Sequence, residues 1–310
     1  MNPHPVTARL SGTLSLILLA ASVLIADGPG KPQVPPALTV GALQVSVLPD
    51  AHFQMPLAIL TGLDPKVASA RAGGGDSVSI PANAFLVRMP DRVVLVDTGT
   101  GAVPGEDSGH LSELLAGAGL SPAQVDLIPI THFHFDHIGG LVTTDGRPVF
   151  PRAIVRASQA EHDYWMRDPA SLPQELRERA QQIQRALAPY VAEKRYQPFA
   201  AGVDLGSGIR AEPAAGHTAG HTVYVFSSQG QEFWCVGDLI HIGVVQFAHP
   251  SAAVRFDLDG SQAIASRLDF FARAAACRAI VAGAHLPQLV RLEKKGEEFM
   301  AIPVAAPGQG

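Results

Sequence analysis

The sequence predicts an α/β sandwich built as one mature domain, and three observations carry that prediction. β-rich runs alternate with amphipathic helical runs along the chain. The alternation occupies two successive halves, each supplying strands and helices. No short-period repeat and no linker divides the chain after residue 37. At 310 residues and 47% hydrophobic content, the chain can bury a sizeable core. Charged residues make up 16%, the net charge is −5, and no lysine/arginine cluster forms a phosphate-tracking surface, so nucleic acid is excluded as a partner.

The elements follow in order. Arg9 precedes an apolar stretch from Leu14 to Ala26, relieved only by Ser15 and Ser22. That run is shorter than the roughly 20 residues that span a bilayer. With small residues at Ala20–Ser22 and Ala26, it predicts a cleavable signal over residues 1–26 and export to the periplasm or medium; an uncleaved anchor is the alternative. Residues 27–37, carrying Pro29, Pro32, Pro35 and Pro36, read as a flexible leader to a catalytic domain at 38–310. Leu43–Leu48 alternates as a strand, and Ala84–Met89 with Arg92–Val96 flank Pro90-Asp91 as a hairpin. Leu111, Leu114, Leu115 and Ala118 recur at helical spacing, and Gly119 supplies the stop.

Leu127–Ile130 forms a short strand, with an irregularity expected at Pro129 because proline cannot donate to a ladder. Leu172, Leu176, Ile183 and Leu187 share a helical face, Ser171 with Gln174 makes a capping box, and Pro189 ends that helix. Strands return at Ile209–Glu212, Thr222–Ser227 and Glu232–Val236, the last two turning at Gln229-Gly230. Ile264, Leu268, Phe271 and Ala275 give a final helix before the strand Ala279–Val281. Cys235 and Cys277 sit beside apolar runs and read as buried thiols, although an exported protein would be able to pair them.

The chemistry concentrates in Thr131-His132-Phe133-His134-Phe135-Asp136-His137. Imidazoles with a carboxylate are the ligand set zinc favours. Ligands at alternate positions face one side, and the adjacent Asp136-His137 pair at a helix start serves a second ion. One segment thereby supplies two metals, and two ions about 3.5–4 Å apart lower the pKa of a shared water enough to give hydroxide at neutral pH. Phe133 and Phe135, alternating with the ligands, read as packing residues.

That run, followed by Gly216-His217, Gly237-Asp238 and Ala284-His285-Leu286-Pro287, and preceded by Val96-Asp97-Thr98-Gly99, resembles the metallo-β-lactamase superfamily over nearly the whole mature chain. The resemblance implies an αββα four-layer sandwich with two mixed sheets and outer helices. It also implies two divalent metal ions. His132, His134 and His217 would hold one, Asp136, His137 and His285 the other, and Asp238 would bridge them. Zinc is the default by ligand type, and cobalt, manganese and iron suit the same set. Asp136 is the candidate for carrying a proton to the leaving group. Asp97 is either the carboxylate that orients an imidazole or a turn-forming aspartate. His221 reads as a hydrogen-bonded neighbour of the ligands.

Pro81–Val87, Val94–Gly99, Ala153–Ala160 with Tyr164-Trp165, and Phe247-Ala248-His249-Pro250 resemble the methyl parathion hydrolase and lactonase branch. The likeness implies an exported hydrolase of small-molecule lactones, aryl esters or organophosphate triesters, commonly dimeric. Tyr164, Trp165 and His249 are the candidate pocket residues; His241 and His249 either face the substrate or are ordinary loop histidines, and for the aromatic pair packing of the Ser171–Leu187 helix is the competing reading. The branch pattern departs after Pro287, where Gln288-Leu289-Val290 follows. The alternatives are a β-lactamase or thioesterase-type hydrolase, against which Asp238 counts for the former, and a non-catalytic metal-binding protein.

Overall fold

The computed structural model describes residues 34–101, 103 and 107–304, so the expected signal at 1–26 and the leader up to residue 33 lie outside the described residues. With strands numbered along the chain, one sheet runs β1 (Leu38–Val40), β2 (Leu43–Pro56), β4 (Ser77–Arg88), β5 (Val93–Val96), β6 (Leu127–Pro129) and β7 (Ile154–Arg156). The second runs β14 (Glu298–Pro303), β13 (Val290–Lys295), β12 (Ile280–Gly283), β10 (Gln231–Gly237), β9 (Thr222–Ser228) and β8 (Ile209–Pro213). A two-stranded ribbon joins β3 (Leu60–Thr61) to β11 (Ala253–Val254). Both large sheets are mixed: β5–β6–β7 and β10–β12 pair in parallel, the rest antiparallel.

Successive strand residues face opposite layers, and here both layers are apolar. Phe85, Val87, Val94 and Val96 meet Tyr224, Phe226, Phe233 and Cys235 in the core between the sheets. Leu86 and Leu95 face outward onto the helices α2 (Leu111–Gly117), α4 (Gln159–Trp165) and α5 (Gln174–Ala192), which contribute Leu114, Trp165, Ile183 and Leu187. On the far side, Val225, Trp234 and Val281 pack against Phe270 and Phe271 of α7 (Gly260–Cys277). The order is therefore helix, sheet, sheet, helix. Strands covered on both faces read as continuous hydrophobic runs rather than strict alternation. Three short helices, α1 (Pro65–Arg71), α3 (Phe135–Ile138) and α6 (Gly243–Gln246), lie in the loops.

Several elements differ from the sequence reading, each for a local reason. β2 continues to Pro56 through a bulge between Pro49 and Ala51. The bulge turns Asp50 inward, where its carboxylate accepts from Thr100 N at 2.7 Å and Leu111 N at 2.8 Å. No irregularity appears at Pro129, which is the last residue of β6 and keeps register with Arg156 while its carbonyl accepts from Asp97 N. The Ser171–Gln174 capping box is not formed: Ser171 Oγ donates to Asp168 O, and Pro173 precedes α5. Nor does Pro189 end α5, which runs on to Ala192 because buried Tyr190 anchors the last turn, donating to Leu141 O and accepting from Phe150 N. α7 buries Ala263, Arg267, Phe270, Phe271 and Ala274, leaving Leu268 exposed. Cys235 is a buried free thiol, whereas Cys277 ends α7 exposed and free.

Candidate metal centre

Chain reversals at the carboxyl ends of β5, β6, β10 and β12 bring the candidate residues together. Asp97 follows β5, the His132–His137 run follows β6, Asp238 follows β10 and His285 follows β12. His217 comes from the loop between β8 and β9. The Gly-Gly pair behind α3 permits a close backbone contact: a Cβ on Gly139 would stand 1.9 Å from Thr100 O, and one on Gly140 would stand 2.1 Å from Thr98 O. Any larger residue there would push the histidine run off the Asp97–Gly101 turn. Gly237, at φ 50°, lets the chain pass over His221, whose Nε2 accepts from Asp238 N at 3.0 Å.

Seven side chains then converge as two groups. His134 Nδ1 lies 3.0 Å from His217 Nε2, and Asp238 Oδ2 lies 3.3 Å from His217 Nε2 and 3.6 Å from His132 Nε2. In the other group, Asp136 Oδ2 stands 3.6 Å from both His137 Nε2 and His285 Nε2. Asp238 touches this group too, with Oδ1 3.2 Å from His137 Nε2 and Oδ2 3.2 Å from His285 Nε2. One carboxylate thus faces both sets. The ligand atoms within each set lie no more than 4.8 Å apart. His132 Nε2, His137 Nε2 and Asp238 Oδ1 are buried without a hydrogen-bond partner. Buried polar atoms without partners are costly, and nitrogen and carboxylate oxygen donors at such positions fit divalent cations of the zinc type.

The outer ring nitrogens fix the imidazoles. His137 Nδ1 lies 2.8 Å from Asp97 Oδ2, His217 Nδ1 2.8 Å from Asp257 Oδ1, and His132 Nδ1 3.1 Å from Thr131 Oγ1. His285 Nδ1 donates to Pro81 O at 2.8 Å. Each such partner sets a tautomer and aims Nε2 inward. Asp97 fills both of its expected roles: at φ 60° it makes the turn, and its carboxylate also accepts from Thr131 N and Oγ1. His134 is the exception, since its outer Nε2 meets a donor, Arg179 Nη1, at 3.2 Å.

The electrostatics follow from burial and these partners. Burial holds His132 and His134 well below the ordinary 6.5. It acts on His217 too, but hydrogen bonds to Asp238 and Asp257 outweigh it and raise that group to about 9. At His137, burial is overcome by Asp238, Asp136 and Asp97, and the group rises well above 6.5. His221, buried and beside other imidazoles, falls to about 3, which suits a neutral acceptor for the Asp238 amide.

Two supporting residues, Glu161 and Asp257, escaped the sequence reading. Glu161, fully buried on α4, accepts four hydrogen bonds: Phe133 N and Trp165 Nε1 on Oε1, Thr218 Oγ1 and Gly220 N on Oε2. It ties the His132–His134 segment to the His217 loop. Burial raises its carboxyl, against the pull of those donors. Its only sequence signal is Ser158-x-x-Glu161, which reads as a cap, and Ser158 does accept from Glu161 N. Asp257 stands 40 residues beyond the histidine it orients and carries no spacing signal. His241, buried, has Nε2 3.1 Å from Asp238 Oδ2 and stacks on His285 with centroids 5.1 Å apart. Burial lowers it to about 4 despite Asp238. A loop histidine in the sequence, it lines the cavity floor.

Above the ligands opens a cavity of about 320 Å³ walled by Phe53, Met55, Phe135, Arg179 and Phe256, with Asp136, His241 and His285 on its floor. Phe135 is 51% exposed and faces this space, so it is wall rather than packing; Phe133 is fully buried. The aromatic pair lies elsewhere. Trp165 packs in the core of the outer helices with its indole N–H committed to Glu161, and Tyr164 carries Arg167 over its ring. His249, half-buried, follows α6 and is not among the cavity's lining residues.

A family model for the metallo-beta-lactamase superfamily matches residues 80–282. Probable metallo-hydrolases of Mycobacterium bovis and Mycobacterium tuberculosis are each 30% identical over 169 residues, 46% of this chain and 52% of theirs, so the chain spans about half the length of these curated relatives. Among solved structures, the hydrolase AbOPH of the beta lactamase superfamily superposes with a TM-score of 0.82 at 28% identity, over 88% of this chain and 98% of that one. The dizinc quorum-quenching lactonase AidC, solved with the product N-hexanoyl-L-homoserine, gives 0.79 at 27% identity over the same shares. A probable metal-dependent hydrolase from Staphylococcus aureus shares the fold, with a TM-score of 0.71 at 19% identity, over 86% of this chain and 99% of that one.

Proposed function

Because this chain belongs to the metallo-beta-lactamase superfamily, we propose that its two ligand sets hold a pair of zinc ions and that the centre opens lactones and cleaves aryl esters. The family and its hydrolase neighbours support the broader class, a metal-dependent hydrolase. The observation that carries the finer reading is Asp238, one carboxylate within 3.6 Å of His132, His217, His137 and His285, beneath a largely apolar cavity. Cobalt, manganese and iron are the alternatives that this donor set accepts.

Two bound divalent cations would supply a water of lowered pKa and an electrophile for the substrate oxygen. The remaining work falls to the chain. Thr131, Asp97, Asp257 and Pro81 O hold four imidazoles in one tautomer each, so little reorganisation accompanies binding. Phe53, Met55, Phe135 and Phe256 take the apolar part of a small substrate and exclude water from it. Asp136, on the floor and kept ionised by His137 and His285 against its burial, accepts the proton and passes it to the leaving group. The lactonase neighbour and the aromatic wall support lactones and aryl esters; aryl phosphotriesters present a similar leaving group and form the second arm of the test.

Parallel kinetics of the zinc-loaded protein on phenyl acetate, an acyl-homoserine lactone and a diethyl aryl phosphate decide the matter. The ester and lactone are expected to exceed the phosphotriester in kcat/KM by about tenfold or more, roughly 1.4 kcal/mol of differential transition-state binding. His134→Ala is expected to lose bound zinc and activity together. Retention of both would overturn the assigned site, and a zinc-replete protein inert toward all three substrates would indicate a non-catalytic metal-binding protein.

A further inference from the structure

Among the described residues, Arg179 is the one guanidinium or ammonium group lining the cavity wall. It projects from α5, whose rotation is set by Ala180, Ile183, Ala186 and Leu187 buried in the helix-side core. Among the described residues no carboxylate forms an ion pair with it, although Arg147, Arg152, Arg195, Arg210 and Arg273 each have one. Among the described residues its guanidinium has one hydrogen-bond contact, His134, with Nη1 3.2 Å from Nε2. That contact requires Nε2 to be an acceptor. His134 presents Nδ1 to the ligand cluster, 3.0 Å from His217 Nε2. A neutral imidazole that gives Nδ1 to a cation carries its proton on Nε2, and two donors then face each other. Loading the centre therefore takes away the guanidinium's acceptor and leaves it facing the cavity.

The charge balance points the same way. Two divalent cations on the floor would meet two carboxylates, Asp136 and Asp238, leaving it positive, while the rest of the wall is Phe53, Met55, Phe135 and Phe256. A half-buried guanidinium beside an apolar wall binds a carboxylate strongly because it forms paired, charge-assisted hydrogen bonds with little competing water. We propose that Arg179 selects esters and lactones bearing a carboxylate a few carbons from the scissile carbonyl, holding that carboxylate while the carbonyl lies on the ligand cluster. This inference rests on the hydrolytic reading above.

The test pairs mono-4-nitrophenyl glutarate with neutral 4-nitrophenyl butyrate, on zinc-loaded wild type, Arg179→Met and Arg179→Lys, with zinc content measured for each. Alongside, calorimetry follows glutarate binding to the same three proteins. The ratio of kcat/KM for the half ester over the neutral ester is expected to fall about tenfold or more in Arg179→Met and to be partly kept in Arg179→Lys, and glutarate affinity should fall in parallel. An unchanged ratio, or an equal loss on both esters as a purely structural contact with His134 would give, overturns the proposal. If no form turns over either ester, the hydrolytic reading fails, and calorimetry still decides for Arg179: weakened glutarate binding in Arg179→Met supports its role, and undiminished binding removes it.

Discussion

The floor of the cavity and its wall are held by different means. On the floor, His132, His137, His217 and His285 each have a partner on the outer nitrogen, and the side chains of Thr131, Asp97 and Asp257 among those partners are buried. Behind them, Glu161 spends both oxygens on two ligand-bearing loops, and Gln246 accepts from His241 N and Ile242 N to fix the loop after Asp238. The wall has little of this. Phe135 is half exposed, touching Phe53 at a centroid distance of 6.3 Å, and Arg179 has one contact. Cation ligands demand fixed geometry because a misplaced donor loses the ion, whereas a substrate wall only has to exclude water and offer area. The contrast locates chemistry in the floor and selectivity in the wall.

On the floor, Glu161→Gln is expected to lower stability and bound zinc together. The amide keeps the shape but puts an NH2 against two of the four donors, leaving them unsatisfied inside the protein. A destabilisation of about 2–4 kcal/mol follows from burying unpaired donors. Because the same donors belong to the His132–His134 and His217 segments, zinc content is expected to fall with stability. Denaturant melts with metal analysis check both, and a variant that keeps full zinc would show that the floor does not need this tie.

What the residues disclosed in sequence follows the same division. The His132–His137 run could be read because its ligands lie within a few residues, whereas His217, Asp238 and His285, each next to a glycine or alanine, could be read only through the family resemblance. The strands themselves were legible, and so were the four layers through the family resemblance. Glu161, Asp257, Phe53 and Phe256 were not, since each reaches the centre from a different part of the chain and nothing local marks the direction of its side chain. α7 shows the limit most clearly. Its periodicity puts Leu268 inward and Arg267 outward, yet Arg267 is the buried one, donating to Leu239 O, Pro250 O and Ala252 O beneath the metal loop. A guanidinium that spends Nε and Nη1 on carbonyls packs as core, and hydropathy has no way to register it. Trp165 left two readings open for the converse reason: its aromatic surface suited a pocket or a helix contact, and it packs with Ile183 and Leu187 while its N–H is committed to Glu161.

An intermediate effect separates the floor by pH. His217, raised to about 9, and His137 and His285, raised above 6.5, are pulled up by Asp238 and its neighbours against burial. A raised folded-state value means protonation stabilises the metal-free fold; that contribution is complete below 6.5 and lost as pH climbs through about 9. Histidines held low, such as His221 at about 3, are neutral when folded and add slope only where the unfolded chain titrates, around 6.5, so they are silent over most of this range. Bound cations take the place of the protons, so the loaded protein escapes the loss. The melting-temperature gap between zinc-loaded and chelator-treated protein is expected to widen from pH 6.5 to 9. A constant gap would mean that these imidazoles do not bind the cations.

The smallest effect, on the wall, sharpens the comparison because it has a neighbour as control. Phe133 and Phe135 flank His134, one fully buried and the other 51% exposed. Phe133→Ala removes a packed ring and is expected to cost about 3–5 kcal/mol. Phe135→Ala loses little packing and should stay within about 0.5 kcal/mol of wild type. Its cost belongs in KM, which is expected to rise a few fold for an aryl ester as apolar contact area disappears, at about 25 cal/mol per Å², with zinc content unchanged. Equilibrium melts and steady-state kinetics on the two variants separate these outcomes. If Phe135→Ala lowered kcat and bound zinc instead, the ring would be holding His134 or the start of α3, and the boundary between floor and wall would run through Phe135 rather than beneath it.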